Sequence, residues 1–315
     1  MEQIGDQLGE QLGFSGRVAV VTGAGRGIGR SYAHLLAARG ATVVVNDLGG
    51  SIKGVGADAG PASAVADEIV AAGGTAVPDT HDLATEDGAR ALVGGAVDRF
   101  GRIDVLVHNA GIIRWARVPD ADADNLSSHL AVHVGGAFHT TRAAWPHLAE
   151  QQYGRIVITT SSGLFGLPDN LSYATAKAAV IGLTRSLAAT GAPLGITANC
   201  IAPAAVTRMG GRPDPDAPED PRTSPDLVAP MVAYLAHESC PVSGEIYAAG
   251  FGRFARLFIG STEGYLHPGP DPTVEDVAAH WAAINDTTTF TIPTGLMDWS
   301  ATFMGHLPPD AVQGS

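Results

Sequence analysis

Tyr173 and Lys177 stand four positions apart within an Ala-rich stretch, 171 to 190, that reads as helix. Side chains at that spacing leave a helix on one face, so a phenol and an ammonium form a unit able to move a proton. A phenol has an ordinary pKa of ~10, and bringing it near neutrality takes roughly 3 units, or about 4 kcal/mol of preferential phenolate stabilisation. A neighbouring ammonium has the right sign to supply it. The bland alternative is a Tyr and a Lys on a solvated helix surface. Lys177 is nonetheless one of only two lysines in the chain, the other being Lys53.

A second group of residues suits an anion. Thr22 Gly23 Ala24 Gly25 Arg26 Gly27 Ile28 Gly29 follows one β-branched run and opens a helical one. Glycines there let the backbone turn sharply and approach a pyrophosphate, while free N–H groups and the dipole at the helix start hold the charge. Gly23, Arg26, Gly27, Ile28 and Gly29 are therefore candidate cofactor residues. Asp47 lies 24 residues after Gly23, where an acidic side chain accepts hydrogen bonds from adenosine ribose hydroxyls and repels a 2′-phosphate. With Leu48 beside it, Asp47 selects NAD over NADP, unless it is an ordinary strand-end turn residue. Asp82, followed by Leu83, either faces the adenine edge or caps the helix at 85 to 100.

Six short runs must carry these groups: 17 to 22, 42 to 47, 75 to 82, 103 to 111, 154 to 161 and 196 to 203. Strands that read as apolar runs without polar alternation are buried on both faces. Helical stretches at 27 to 39, 61 to 72, 86 to 100, 123 to 149 and 171 to 190 supply the crossovers of a parallel sheet. The fold class is α/β, a Rossmann-type doubly wound sheet. One catalytic domain, 14 to 250, follows an N-terminal tail, 1 to 13. Residues 208 to 226 hold five prolines and form neither helix nor central strand, which makes them a lid or a tolerated loop. An aromatic extension, 251 to 315, is expected to pack near the substrate pocket or a subunit interface. Within it Thr273 and Asp276 resemble a capping box, and Val274, Val277, Ala278, Trp281 and Ile284 mark one helical face.

Composition narrows the classes. Apolar residues make up 45% of the 315 and charged ones 16%, a folded chain and not a disordered one. The net charge of −13 leaves no basic footprint for a nucleic-acid backbone. Cys200 and Cys240 lack metal-ligand spacing and read as core thiols of a reducing compartment. The histidines form no metal cluster, so no metal site is expected. No run approaches the roughly 18 apolar residues of a membrane helix, and Met1 to Asp6 lack the start of a secretory signal. The expectation is a cytoplasmic protein.

Three stretches, Thr22 to Gly29, His108 Asn109 Ala110 Gly111, and Tyr173 Ala174 Thr175 Ala176 Lys177, resemble the T-G-x-x-x-G-x-G, N-N-A-G and Y-x-x-x-K motifs of the short-chain dehydrogenase/reductase family. The resemblance covers about residues 14 to 250. Within the family, 43 to 56, 140 to 148, 153 to 157 and 234 to 240 look like the dehydrogenase region of the multifunctional-enzyme type 2 branch. Those proteins are (3R)-hydroxyacyl-CoA dehydrogenases that also handle 17β-hydroxysteroids. Two features depart from the branch: no hydratase region follows, and Gln313 Gly314 Ser315 is not a peroxisomal address.

The resemblance implies roles. Tyr173 exchanges a proton with the substrate oxygen, and Lys177 lowers its pKa while holding the nicotinamide ribose. A Ser 12 or 13 residues before the Tyr binds the reacting oxygen; counting from Arg155 selects Ser161, with Thr160 and Ser162 as neighbours. The family's Asn in V-N-x-x-G is His133 here, in Val132 His133 Val134 Gly135 Gly136. An imidazole there either exchanges protons or is a satisfied core histidine. Asn109, Ala110 and Gly111 would line the ribose, with His108 departing from the usual first Asn. Pro203, Val206 and Thr207 would contact the carboxamide, with Ala204 in place of the family's Gly.

The substrate expected is a bulky lipophilic secondary alcohol or ketone. An acyl-CoA would need cations for its phosphates, for which Arg114, Arg117, Arg208, Arg212, Arg253 and Arg256 are available, although solvated surface arginines are the plainer reading. A hydroxysteroid needs none. A catalytically silent NAD-binding module is the alternative of a different class, and the presence of both Tyr and Lys speaks against it. The long helices at 123 to 149 and 171 to 190 are expected to join subunits into a homodimer or homotetramer.

Overall fold

β-branched runs bordered by glycine turns form the sheet. In a computed structural model, which describes residues 11–210 and 220–308, the first elements are β1 (Val18–Thr22), α1 (Gly27–Ala38), β2 (Thr42–Asn46), α2 (Gly60–Ala71), β3 (Thr75–Asp79), α3 (Glu86–Phe100) and β4 (Val105–His108). There follow α4 (Ala123–His129), α5 (Gly136–Gln151), β5 (Gly154–Thr159), α6 (Leu171–Gly191), β6 (Ile196–Pro203), α7 (Ala229–Leu235), β7 (Ile246–Gly250) and β8 (Arg253–Leu257). The strand order is β3-β2-β1-β4-β5-β6-β7-β8, and every pairing from β3 through β7 is parallel. Chain order reverses between β1 and β4, the switch point where such sheets bind ligands beyond their carboxyl ends. β1, β4 and β5 are buried along their whole length. Alternate residues feed two cores, Val21, Val43, Val107 and Val157 on one face and Val20, Val44, Leu106 and Ile156 on the other.

One predicted helix is three segments. The stretch at 123 to 149 is interrupted by a π-helical segment, Leu130–Gly135, between α4 and α5. Such a segment inserts a residue without altering the apolar pattern, so periodicity passes over it, and it is frequent at functional sites.

The amino ends of the strands carry a different chemistry. Asp104, fully buried, pairs with Arg102 at 2.6 Å and Arg17 at 3.1 Å and accepts the Val18 N–H at 2.9 Å. The Arg17 guanidinium also lies 3.8 Å from the centre of the Tyr153 ring. Past β7 the chain turns through Phe251 and Gly252, both at positive φ (52° and 75°). That is the signature of a type I′ turn, so β8 returns antiparallel at the sheet edge.

The chain divides into two units, one running to Arg256 and one from Leu257. The second contains a two-strand ladder, β9 (Ser261–Thr262) with β10 (Phe290–Thr291), and the helices α8 (Val274–Ala279), α9 (Trp281–Ile284) and α10 (Leu296–Phe303). The Thr273/Asp276 capping box forms as the sequence suggests, but the single helical face expected from Val274 to Ile284 is broken at His280. Aromatic side chains stack locally, Phe258 on Phe290 and Trp299 on Phe303. No described residue of this unit is buried.

Candidate active site

The predicted residues collect at the carboxyl edge of the sheet. Gly27 has a φ of +52°, a side chain on Gly29 would run into the Gly23 carbonyl, and one on Gly23 would sit 2.8 Å from the Ala110 Cα. The turn therefore exists only as glycine. Asn109 laces it to β4, donating from its side chain to the Thr22 carbonyl at 3.2 Å and the Gly23 carbonyl at 3.1 Å. The Thr22 hydroxyl accepts the N–H groups of Asn109 and Ala110, each at 3.0 Å.

The first turn of α1 has no side-chain cap, with Arg26 at the cap position, whereas Thr85, Asp122 and Asn170 cap α3, α4 and α6. Uncapped N–H groups at an open glycine turn fit a diphosphate. Asp47 accepts the Gly25 N–H at 2.8 Å on one oxygen and the Gly49 N–H at 2.7 Å on the other. Each oxygen retains a lone pair for a ribose hydroxyl. Leu48 holds the loop through its carbonyl, which accepts the Asp58 N–H at 2.9 Å, and Ile28 packs on the core. Arg26 donates to the Gly50 carbonyl at 3.3 Å. Burial lowers the Arg208 pKa, the Arg26 charge adds to this, and Asp47 opposes it. Thr207 comes nearest to a side chain built on Gly27, at 3.8 Å. Pro203 ends β6, and the Val206 N–H donates to the Thr223 carbonyl at 3.1 Å.

Asp82 does not cap α3. Thr85 does, taking the Gly88 N–H at 3.1 Å, while the exposed Asp82 carboxylate accepts the Ala84 N–H at 2.9 Å. Leu83 is buried in the core.

The Ser161 hydroxyl accepts the Gly163 N–H at 3.0 Å, and Gly163 has both Ser161 Oγ and the Tyr173 ring beside it. Thr160 is turned away, donating to the Lys177 carbonyl at 2.6 Å, and Ser162 is exposed. Burial pushes the Tyr173 phenol above its ordinary pKa, and the nearby Ser161 hydroxyl opposes this. Lys177 is buried, donates to the Thr159 carbonyl at 2.7 Å and lies 5.8 Å from the Tyr173 ring centre. Burial lowers its pKa to about 7.

His133 is buried in the π-helical segment. Its Nε2 lies 2.9 Å from the Ile112 carbonyl and 3.3 Å from the Ile112 N–H, and its ring meets Tyr173 edge-on at 5.4 Å. A side chain on Gly111 would come within 2.5 Å of this ring, so the glycine makes room for the imidazole. Burial, then the Lys177 charge, hold His133 well below its usual pKa, and burial takes His108 to about 3.

Two residues of the site escaped the sequence reading. Asn170, buried, accepts the Tyr173 N–H at 3.3 Å and so sets the helix that bears the phenol; an Asn just ahead of a helical run was the available signal. His129, also buried, is edge-on to Tyr173 at 6.2 Å, and nothing in its spacing announced it.

Of the arginines considered for an acyl-CoA, Arg114 pairs with Asp124 at 2.9 Å, Arg117 with Asp120 at 3.6 Å and Arg256 with Glu245 at 2.7 Å. Arg212 and the chain end at Ser315 lie outside the described residues. Both cysteines are buried. Among the described residues there is no group of three or more His, Cys, Asp or Glu placed to hold a metal ion, and no helix is long and apolar enough to cross a membrane.

Residues 17–214 match a family described as short chain dehydrogenase. The chain is 46% identical over 280 residues to a short-chain type dehydrogenase/reductase of Mycobacterium tuberculosis, spanning 87% of this chain and 96% of that one. It is 42% identical over 280 residues to the peroxisomal multifunctional enzyme type 2 of Drosophila melanogaster, spanning 88% of this chain but 46% of the longer protein. The solved full-length structure of that enzyme superposes with a TM-score of 0.76 at 33% identity, covering 96% of this chain and 51% of that chain. A short chain dehydrogenase from Mycobacterium avium superposes with the same TM-score at 34% identity, covering 87% of this chain and 97% of that one.

Proposed function

Because the chain belongs to the short-chain dehydrogenase family, we propose that this oxidoreductase uses NAD to interconvert a bulky lipophilic secondary alcohol and its ketone, with 3-hydroxyacyl-CoA the preferred class. The observation that supports it most is the buried Lys177 Nζ 5.8 Å from the Tyr173 ring centre, with Ser161 and the phenol ring both beside Gly163, together with a glycine turn whose helix start is uncapped. The acyl-CoA class rests on the likeness to the multifunctional-enzyme branch. Asp47 favours NAD, since a carboxylate that already faces inward repels a 2′-phosphate.

In alcohol oxidation Tyr173 takes the hydroxyl proton while Ser161 holds the reacting oxygen; in reduction Tyr173 returns it. Bound nicotinamide supplies the hydride acceptor and, when oxidised, a positive ring. Lys177, buried and anchored on the Thr159 carbonyl, holds an ammonium poised near neutrality. Burial keeps the phenol protonated in the free protein, a state suited to donating a proton.

Purified protein with NAD is to be assayed against 3-hydroxyacyl-CoA and hydroxysteroid panels, with Tyr173→Phe and Ser161→Ala alongside. The expected result is NADH formation with hydroxyacyl-CoA and a loss of at least about 100-fold in each variant. Absence of turnover across both panels would overturn the assignment in favour of a silent binding module. Tighter binding of NADPH than of NADH would overturn the cofactor choice alone.

A further inference from the structure

His129 and His133 are four residues apart and straddle the end of α4 and the π-helical segment. Their rings stack, with centres 5.9 Å apart and planes 9° from parallel. Both present faces or edges to one phenol: His133 meets Tyr173 at 5.4 Å and 89°, His129 at 6.2 Å and 83°. The same two rings grip alternate residues of the extended segment after β4. His133 Nε2 sits against the Ile112 peptide groups, and His129 Nε2 lies 3.2 Å from the Arg114 N–H.

The bonding of His129 fixes its state. Nδ1 lies 2.7 Å from the Asn125 carbonyl, which can only accept, so Nδ1 carries the proton. Arg114 N–H can only donate, so Nε2 must keep its lone pair. A second proton on the ring would oppose that N–H and break the link. Asn125 closes the loop by donating from its side chain to the Arg114 carbonyl at 3.0 Å. Charged and titratable groups around the pair are Tyr173 and Lys177 from α6, His108 from β4, and Arg114, which is paired with Asp124 and bonded to Ser128. Burial, the Arg114 charge and the Lys177 charge all disfavour a charged His129, opposed only by the Asn125 bond.

We propose that His129 is a positioning residue for the reaction: held as its Nδ1–H tautomer between Asn125 and Arg114, it backs the His133 ring and thereby fixes both the Tyr173 phenol and the Ile112–Arg114 wall of the crevice. It touches neither hydride nor reacting oxygen. The inference rests on Tyr173 being the proton-transfer group. On acidification a second proton on His129 releases Arg114, so the wall loosens before the fold is lost.

The test has two arms. In ¹⁵N-histidine NMR of the wild-type protein, with the His129 signals assigned by their loss in His129→Gln, the expected state at pH 7 is a neutral Nδ1–H ring. An Nε2–H tautomer or a charged ring would overturn the proposal. In the second arm the ¹³Cζ signal of Tyr173, assigned with Tyr173→Phe, and the pH profile of kcat are compared in His129→Leu and His129→Gln. A slightly displaced phenol costs of the order of 10- to 100-fold. The expectation is such a loss in kcat for the Leu variant, a shifted Tyr173 titration and little change in cofactor KM. The Gln variant, whose amide oxygen can accept from Arg114, recovers part of each. A Leu variant that is merely less heat-stable, with the Tyr173 titration and pH profile unmoved, would overturn it. If the hydroxyacyl-CoA reading fails, the tautomer and the phenol titration still decide this proposal.

Discussion

At the residue scale, Lys177 ties catalysis to stability. Its pKa is 10.5 in an unfolded chain and about 7 in the folded protein. Between those values the unfolded state binds more protons, so stability climbs as pH rises through that window. Below it both states carry the proton and the full penalty of burying a charge applies; above it both are neutral and the penalty vanishes. Lys177→Met keeps the bulk and removes the charge. The expectation is a variant that melts above wild type at pH 7 while losing activity, the two melting curves converging toward pH 10. Melting temperatures that stay parallel from pH 7 to pH 10 would show that the buried ammonium costs nothing. The same site explains why Gly111 tolerates no side chain, since even a methyl would collide with His133.

At the element scale, the β7–β8 turn offers a clean measurement. Phe251 adopts φ +52° while half of its side chain faces solvent, a conformation that favours Asn and Gly over a bulky aromatic. Phe251→Asn is expected to raise stability by about 0.5–1 kcal/mol, read as a higher denaturation midpoint at unchanged slope. A lower midpoint would mean that the phenyl ring is itself held by a contact stronger than the backbone strain. Much of this architecture was legible beforehand. Runs such as RVAVVT and TVVVND declare buried strands because both faces need apolar side chains, and Thr22–Gly29 declares its turn because only glycine survives there. The spacing of Tyr173 and Lys177 likewise placed both on α6. Other features leave no trace in composition. The π-helical segment around His133 keeps the apolar pattern of an ordinary helix, the cap of α3 fell to Thr85 and not to Asp82, and His129 acquires its place only through long-range contact with Arg114. β8 was hidden because a type I′ turn with Phe in its first position lacks the usual Asn-Gly signal.

At the scale of the whole molecule, the unit from Leu257 onward is unusual in burying none of its described residues. Side chains as large as Trp281, Phe290, Leu296 and Phe303 stay exposed within it. With its apolar side chains only partly removed from water, little offsets the conformational entropy of ordering it. Residues 257–315 produced alone are therefore expected to show no cooperative thermal transition by circular dichroism; a sharp melt would reveal a core that the burial pattern does not contain. The two rims of the parallel sheet are the other molecule-wide feature. Asp104 with its guanidinium partners and His108 with the crevice close opposite ends of β4, roughly 13 Å apart for four steps of a strand. Changes that far apart add without coupling. Thermal adaptation at the ionic rim and divergence of substrate preference at the other can therefore proceed in this lineage as separate inheritances, neither constraining the other.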